Sequence, residues 1–356
     1  MNTFSKTSLA LACASSMLML APASYAADSS LVSVKTSSSI TLDGMAENAW
    51  DSAKTLSVRL DNLPYKPDNY KGMTSVDVNL KSLYDDQFVY FLIQYKDPTK
   101  SLMRYPWEKQ ADGSWKQLKD KDHTGHDNVY YEDKLALLWD INARGFGKKG
   151  CDAACHMQDD DGKINGIDQK GKAPGRKYTR KDQTIDMWHW KSVRMNPVGV
   201  IDDQYIDSVN DPAVNKNWGR HGDAKTGGGY VNNMNEAKDG PAFMNRTQDG
   251  LNDFTITPDQ KTEFVDTFKP GDMVPGIMST AFTGSRGDIW AKGAWKEGMW
   301  TIEIKRKLVT TGEKADIQDV QFSDLGKAYS FGVSVFDNSQ INHIYHEGVL
   351  KLSFQK

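Results

Sequence analysis

Residues 76–95 constrain the fold of this chain more tightly than any other stretch. Val76, Val78 and Leu80 alternate with Asp77, Asn79 and Lys81, the period-two pattern of a strand with one buried face. Tyr84-Asp85-Asp86-Gln87 supplies turn residues, and residues 88–95 follow as a more continuously apolar strand. The spacing predicts a β-hairpin. A hairpin buries only one face, so its partner must be another layer of structure. The same grammar predicts strands at 39–44, 134–141, 298–308, 328–336 and 348–354, while 46–54 reads as one or two helical turns around Trp50. Between Asn142 and about Asp272, Gly, Asp, Asn and Lys dominate and periodicity fades, except at 184–191 and 263–268. The expectation is a mainly β chain, a sandwich with few short helices and a long loop-rich insertion at about 142–272.

The first 26 residues stand apart. Lys6 is an early cation, 9–20 is an apolar run, and Ser24-Tyr25-Ala26 ends in small residues. That is the shape of a secretory signal peptide cut after Ala26 or Ala27, and it predicts export to the periplasm. Residues 27–356 then form a single domain. With 44 Lys+Arg against 47 Asp+Glu and a net charge of −3, no general nucleic-acid surface is expected. No other apolar run approaches the roughly 18 residues of a membrane span. Of three cysteines, Cys13 leaves with the leader, and Cys151 and Cys155 remain. Two are too few for a disulfide scaffold.

Those two cysteines carry the strongest chemical signal. Cys151-Asp152-Ala153-Ala154-Cys155-His156 places two thiols close together with a histidine directly after the second, the arrangement used for covalent haem attachment. Each thiol adds to one vinyl group, and His156 would ligate the iron. The usual spacing is two residues, and here it is three. The other reading is a local Cys151–Cys155 disulfide in an oxidising compartment. Asp159-Asp160-Asp161-Gly162 is rich in oxygen donors, but Lys170 stands where a calcium loop needs Glu, so it reads as a solvated acidic turn.

In Asp186-Met187-Trp188-His189-Trp190-Lys191, strand geometry puts both tryptophans on one face and Met187, His189 and Lys191 on the other. The tryptophans suit an aromatic wall beside a planar cofactor or a sugar-stacking platform, and His189 reads as a hydrogen-bonded core histidine. Met103, in a loop after the hairpin, has the thioether a haem iron accepts. His343 and His346 precede the last strand. No nucleophile elbow, phosphate loop, dinucleotide fingerprint or zinc-protease motif is present, so no hydrolytic machinery is expected.

Taken together, several of these segments form a pattern: Ile40-Thr41-Leu42-Asp43-Gly44 with Glu47 and Trp50, then Phe91–Tyr95 with Asp97-Pro98-Thr99. Tyr105-Pro106-Trp107 with Asp112-Gly113-Ser114-Trp115 follows, then Trp188–Lys191, and finally Val335-Phe336-Asp337-Asn338. As a set they resemble the haem-binding domain of ethylbenzene dehydrogenase gamma subunits and related cytochrome c-552-like proteins. The resemblance implies an immunoglobulin-like β-sandwich holding one haem for electron transfer outside the cytoplasm. In the gamma subunits that haem is b-type with Met and Lys as axial ligands. Met103 matches the Met, while the segment that should bring Lys offers His343, with His346 as the alternate. The Cys151–His156 motif departs from the b-type subunits towards the c-type relatives.

Three arrangements follow: a haem anchored by Cys151 and Cys155 and ligated by His156, a non-covalent haem between Met103 and His343, or both. Trp188 and Trp190 would pack near the ring, with Lys191 and Arg194 pairing its propionates. The expected role is that of a non-catalytic, periplasmic electron carrier, slightly favouring c-type haem. Its redox partner would be a molybdenum-type oxidoreductase or another cytochrome. The rival reading is a carbohydrate-binding sandwich without haem, to which ten tryptophans and the Leu42-Asp43-Gly44 opening also lend themselves.

Overall fold

The hairpin is embedded in a single sheet that draws on both ends of the chain. The computed structural model describes residues 29–63, 70–121, 129–155, 177–245 and 255–356, together with the backbone of 163–164 and 167–168. Residues 1–26, and the leader expected there, lie outside the described residues. Thirteen strands of the described residues share the main sheet. In chain order they are β1 (Ser30–Lys35), β2 (Leu56–Leu60), β3 (Val76–Tyr84), β4 (Phe88–Lys96), β5 (Lys134–Asp140), β6 (Ile185–Lys191) and β7 (Asp202–Ile206). Then come β8 (Arg220–Gly222), β9 (Ile289–Lys296), β10 (Met299–Lys307), β11 (Tyr329–Phe336), β12 (Ile344–Tyr345) and β13 (Leu350–Phe354). The order across the sheet is β8-β7-β6-β5-β11-β13-β1-β3-β4-β10-β9, with β2 added beside β3 and β12 beside β11.

The sheet rolls back upon itself. The Ile201 N–H donates to Ile289 O at 2.9 Å and the Ala291 N–H to Gly199 O at 3.1 Å, so the β9 edge is met by the segment that leads into β7. Strands far apart in the sheet order therefore face each other. Phe91 of β4 contacts Trp139 of β5 at 5.7 Å and Trp188 of β6 at 5.8 Å between ring centroids, and Trp190 of β6 meets Trp300 of β10 at 5.0 Å. These contacts cross the two layers of a β-sandwich. Val76, Val78 and Leu80 point into that core, as their alternation requires.

Two outer patches are covered as well. Over β3 and β4, Leu83, Tyr90 and Leu92 pack under Ile40, Trp50 and Ala53, with Trp50 on the short 3₁₀ turn Asn48–Ser52. Over β5, β6 and β11, Ala136, Leu138, Met187 and Phe336 pack under Phe146, Cys151, Ala154 and Cys155. That second cover consists of helix α1 (Phe146–Lys149) and a 3₁₀ turn at Cys151–Ala153. Among the described residues no helix is long and apolar enough to cross a membrane.

The strands expected at 134–141, 298–308, 328–336 and 348–354 are present as β5, β10, β11 and β13. Residues 39–44 do not form a strand. Their amides go elsewhere: the Asp43 and Gly44 N–H groups donate to Glu303 Oε2 at 3.1 and 3.0 Å. Gly44 has φ +81°, and a Cβ there would lie 2.6 Å from Ala294 N, so only glycine fits. At 263–268 the strand is limited to Lys261–Glu263, and Phe264 and Phe268 instead stack at 5.9 Å beside Trp115. The loop-rich stretch 142–272 supplies β6, β7 and β8 to the main sheet, so it is woven into the sandwich.

Candidate functional site

Strand β6 carries the site because its two faces lie in different surroundings. Trp188 and Trp190 enter the core, where Trp188 Nε1 donates to Asp186 Oδ2 at 2.9 Å. Met187, His189 and Lys191 face the other way, into a cavity of about 370 Å³ over the outer face of β5, β6 and β7. Its wall holds seven basic side chains, Arg104, Lys134, Lys177, Lys191, Arg194, Lys216 and Arg220, and no carboxylate among the described residues. Such a lining selects an anionic ligand.

His189 lies in that wall. It is 3% exposed, and neither ring nitrogen has a hydrogen-bond partner. Burial first, then the charges of Lys191, Lys134, Arg220 and Arg194, pushes its pKa well below the usual histidine range. These surroundings favour the uncharged form of the ring. The hydrogen-bonded histidine expected from sequence is therefore absent, because β5 and β7 on either side present Ala136 and Asp202 opposite it, and Asp202 is engaged by two cations.

Those cations are Lys191, whose Nζ donates to Asp202 Oδ2, and Arg286, whose Nε donates to Oδ1 at 2.6 Å. Burial alone would raise Asp202, but Lys191 and Arg286 hold it at about 2. Arg194 Nε donates to Glu132 Oε1, and Glu132 Oε2 accepts the Val193 and Arg194 N–H groups at 2.9 and 3.0 Å. Lys134 Nζ donates to Gln340 O at 2.9 Å and lies 4.0 Å from the centre of the Phe336 ring. Burial first, then Arg194, pulls the Lys134 pKa well down. Tyr230 sits between Lys191 and Arg194, 5.2 and 4.8 Å from its ring centre.

A small hollow adjoins this cavity and shares Lys177, Met187 and Phe336 with it. Cys151, Cys155 and His343 line the hollow. Both thiols are free and buried; burial pushes each upward in pKa. They are one turn apart, with the Cys155 N–H donating to Cys151 O at 2.9 Å. The His343 ring contacts Phe336 at 4.7 Å, and Phe336 contacts His189 at 5.4 Å. His343 Nδ1 lies 2.8 Å from Ile341 O.

The structure thus gathers Cys151, Cys155, His343, Lys191 and Arg194 around one depression. It does not bring Trp188 or Trp190 there, because alternation on β6 commits them to the core. Met103 lines neither space: it is half-buried, with its N–H donating to Tyr131 O at 3.0 Å, and its neighbour Arg104 reaches the wall instead. His346 also lies apart, its Nδ1 3.3 Å from Arg59 O. His156 and the acidic turn at Asp159–Asp161 lie outside the described residues. Met187 and His189 were missed as candidate donors, although their shared face with Lys191 was readable from the period-two pattern.

The model of the family described as ethylbenzene dehydrogenase matches residues 47–348. Among solved structures, the chain is similar to a family 9 carbohydrate-binding module from Caldicellulosiruptor kristjanssonii in complex with glucose. Identity there is 10% and the TM-score 0.33, over 92% of this chain and 95% of that one. The same module in complex with cellotriose gives 10% identity and a TM-score of 0.32 over the same shares. No curated protein matches the chain.

Proposed function

The chain belongs to the ethylbenzene dehydrogenase family, and from that premise we propose that it is an exported haem protein carrying single electrons for an oxidoreductase partner. The observation that supports this reading is the wall of seven basic side chains, with no carboxylate among the described residues, and the His189 imidazole that none of those residues hydrogen-bonds. A neutral imidazole is the state that ligates iron, and guanidinium and ammonium groups suit the two carboxylates of a haem. These residues fit the group.

When bound, haem supplies reversible one-electron chemistry at the iron. The chain's own part is to hold and tune it. His189 is the donor with no competing hydrogen bond, and Met187 and His343 are the further donors at the same depression. Cys151 and Cys155 supply the thiols for attachment. Lys191 and Arg194 already carry buried partners in Asp202 and Glu132, so the carboxylates of a ligand fall chiefly to Arg104, Lys177, Lys216 and Arg220. Basic side chains beside a bound haem would penalise its more positive, oxidised state and so would raise its reduction potential.

Sugar binding is less well supported. A neutral sugar offers nothing to seven cations, and Trp188 and Trp190 are not at the surface to stack on it.

The test is expression with export in a haem-competent host, followed by absorbance spectroscopy and acid-acetone extraction. The expected result is a Soret band that stays with the protein on extraction, and that is shifted or lost in His189→Ala. A colourless wild-type protein overturns the reading.

A further inference from the structure

Adjacent aspartates of β7 serve opposite faces of the sheet. Asp202, paired in register with His189, lies on the side of Lys191 and Arg286, which cover it, whereas Asp203, paired with Trp188, points inward. There it meets Asp223 and Asp319, and one carboxylate oxygen from each lies within 4.8 Å of the other two. All three are buried, at 0, 3 and 1% exposure. Each uses one oxygen conventionally: Asp203 Oδ1 accepts the Gln204 N–H at 3.0 Å, Asp223 Oδ2 the Ser285 hydroxyl at 3.4 Å, and Asp319 Oδ2 the Thr310 hydroxyl at 2.5 Å. The other oxygen of each, Asp203 Oδ2, Asp223 Oδ1 and Asp319 Oδ1, receives no hydrogen bond from a protein N–H or hydroxyl among the described residues, although the Asp223 and Asp319 carboxyls lie close enough to share a proton.

A second observation concerns a residue outside the trio. Asp186 is fully buried. Its Oδ2 accepts Trp188 Nε1 and the Val320 N–H, both at 2.9 Å, while its Oδ1 has no partner. Its charge is felt at both Asp203 and Asp223. Arg306 has Nη2 3.8 Å from both Asp186 Oδ2 and Asp319 Oδ2, and Arg286, already bonded to Asp202, also acts on Asp223. Asp288 adds its charge at Asp203 and Asp223, so carboxylates outnumber these two guanidinium groups, and crowding like charges in a low-dielectric interior is costly.

The other buried trio, Asp97, Asp133 and Asp337, is differently made. Asp133 accepts from the Ser101 and Asn338 amides and from Trp300 Nε1, and Asp337 accepts from the Met73 amide and the Thr99 hydroxyl. Protein donors meet both oxygens of these two residues, so that trio makes no comparable demand.

We propose that Asp203, Asp223 and Asp319 form a calcium site, with Asp186 as the carboxylate beside it. All-oxygen donors suit a hard divalent cation, and no histidine or cysteine belongs to the group to favour a softer metal. Calcium–oxygen distances of roughly 2.3–2.6 Å place opposite ligands about 5 Å apart, in keeping with the spread of these oxygens. The ion would tie β7 to the segments after β8 and after the short helix Ala315–Gln318, beneath the strand pair that carries His189.

The test is metal analysis of the full-length protein after gel filtration in calcium, with terbium luminescence excited through tryptophan, since Trp188 is bonded to Asp186. The expected result is one calcium per chain, a melting temperature that falls on chelation, and terbium emission that calcium displaces. Asp203→Asn should weaken binding by more than the roughly 10–100-fold typical of losing an outer-shell partner, while Asp97→Asn leaves it intact. Wild-type protein that retains no calcium and melts identically with chelator overturns the proposal. So does calcium binding that Asp97→Asn abolishes and Asp203→Asn preserves.

Discussion

The sulfur of Cys151 occupies the space that a side chain on Gly332 would need: a Cβ built on Gly332 would lie 2.4 Å from Cys151 Sγ. The glycine in β11 is what lets the Cys151–Ala153 turn sit down on the sheet and brings both thiols to the hollow beside Phe336. Gly332→Ala should overpack this contact at a cost of about 1–3 kcal/mol. Urea denaturation measures the loss, and in haem-free protein a thiol reagent should modify Cys151 and Cys155 faster in the folded variant. An unchanged midpoint with unchanged thiol reactivity would show that the turn is not seated by this contact.

Neighbours on β6 should respond in opposite ways. Trp190 is fully buried against Trp300, so Trp190→Ala should cost about 3–5 kcal/mol. His189 is buried without a partner for either nitrogen, and an unsatisfied buried group costs about 1–3 kcal/mol. His189→Leu should therefore raise the urea midpoint of haem-free protein, while shifting or abolishing the Soret band of haem-loaded protein. A fall in stability comparable to that of Trp190→Ala would mean that the imidazole serves packing alone.

Arg194 and Glu132 form a buried pair, with side chains 8% and 0% exposed. Burial would raise Glu132, but Arg194 foremost, with Lys134 and Arg104, holds it below the usual carboxylate range. Arg194→Met leaves that charge uncompensated and should destabilise by about 3–5 kcal/mol, with much of the loss recovered in Arg194→Met combined with Glu132→Gln. Additive losses in the double variant would deny the coupling.

Asp97 adds a pH dependence of opposite sign to the familiar acid lability. Burial first, and Asp337 second, lifts its pKa to about 7 from 3.8. A carboxyl raised in the folded state contributes its stability below the unfolded value and loses it as pH climbs towards the folded one. Stability should thus decline between about pH 4 and 7, by at most about 1.4 kcal/mol per pH unit for one proton. Asp97→Asn, whose amide can donate towards Asp337, should flatten that slope and raise the urea midpoint at pH 8. Denaturation curves from pH 4 to 8 with calcium held constant decide it; parallel slopes for the two proteins would assign the effect elsewhere.

The strand grammar was legible because it depends on neighbours in sequence. Alternation at 76–83 and the apolar run at 88–95 needed no distant partner to be read, and β5, β10, β11 and β13 follow the same logic. Residues 39–44 misled for the converse reason: Leu42-Asp43-Gly44 resembles a strand ending in a turn, but its amides are taken by Glu303, some 260 residues away. The short β7 carries almost no apolar pattern, since Asp202, Asp203 and Gln204 fill buried positions, and Asp202 is matched there by Lys191, Arg286 and the Gln204 amide.

For the site, sequence alone determined which residues share a face of β6 and that two thiols lie close together along the chain. It also determined that the chain builds β layers. It could not determine which face of β6 is core and which is cavity, since both faces carry large side chains and that choice depends on what packs above each. Only the rolled sheet decided it, by setting Phe91 and Trp300 against Trp188 and Trp190 and leaving His189 among basic side chains drawn from five separate segments. Charge compensation and burial act through space, between groups whose separation along the chain carries no local signal.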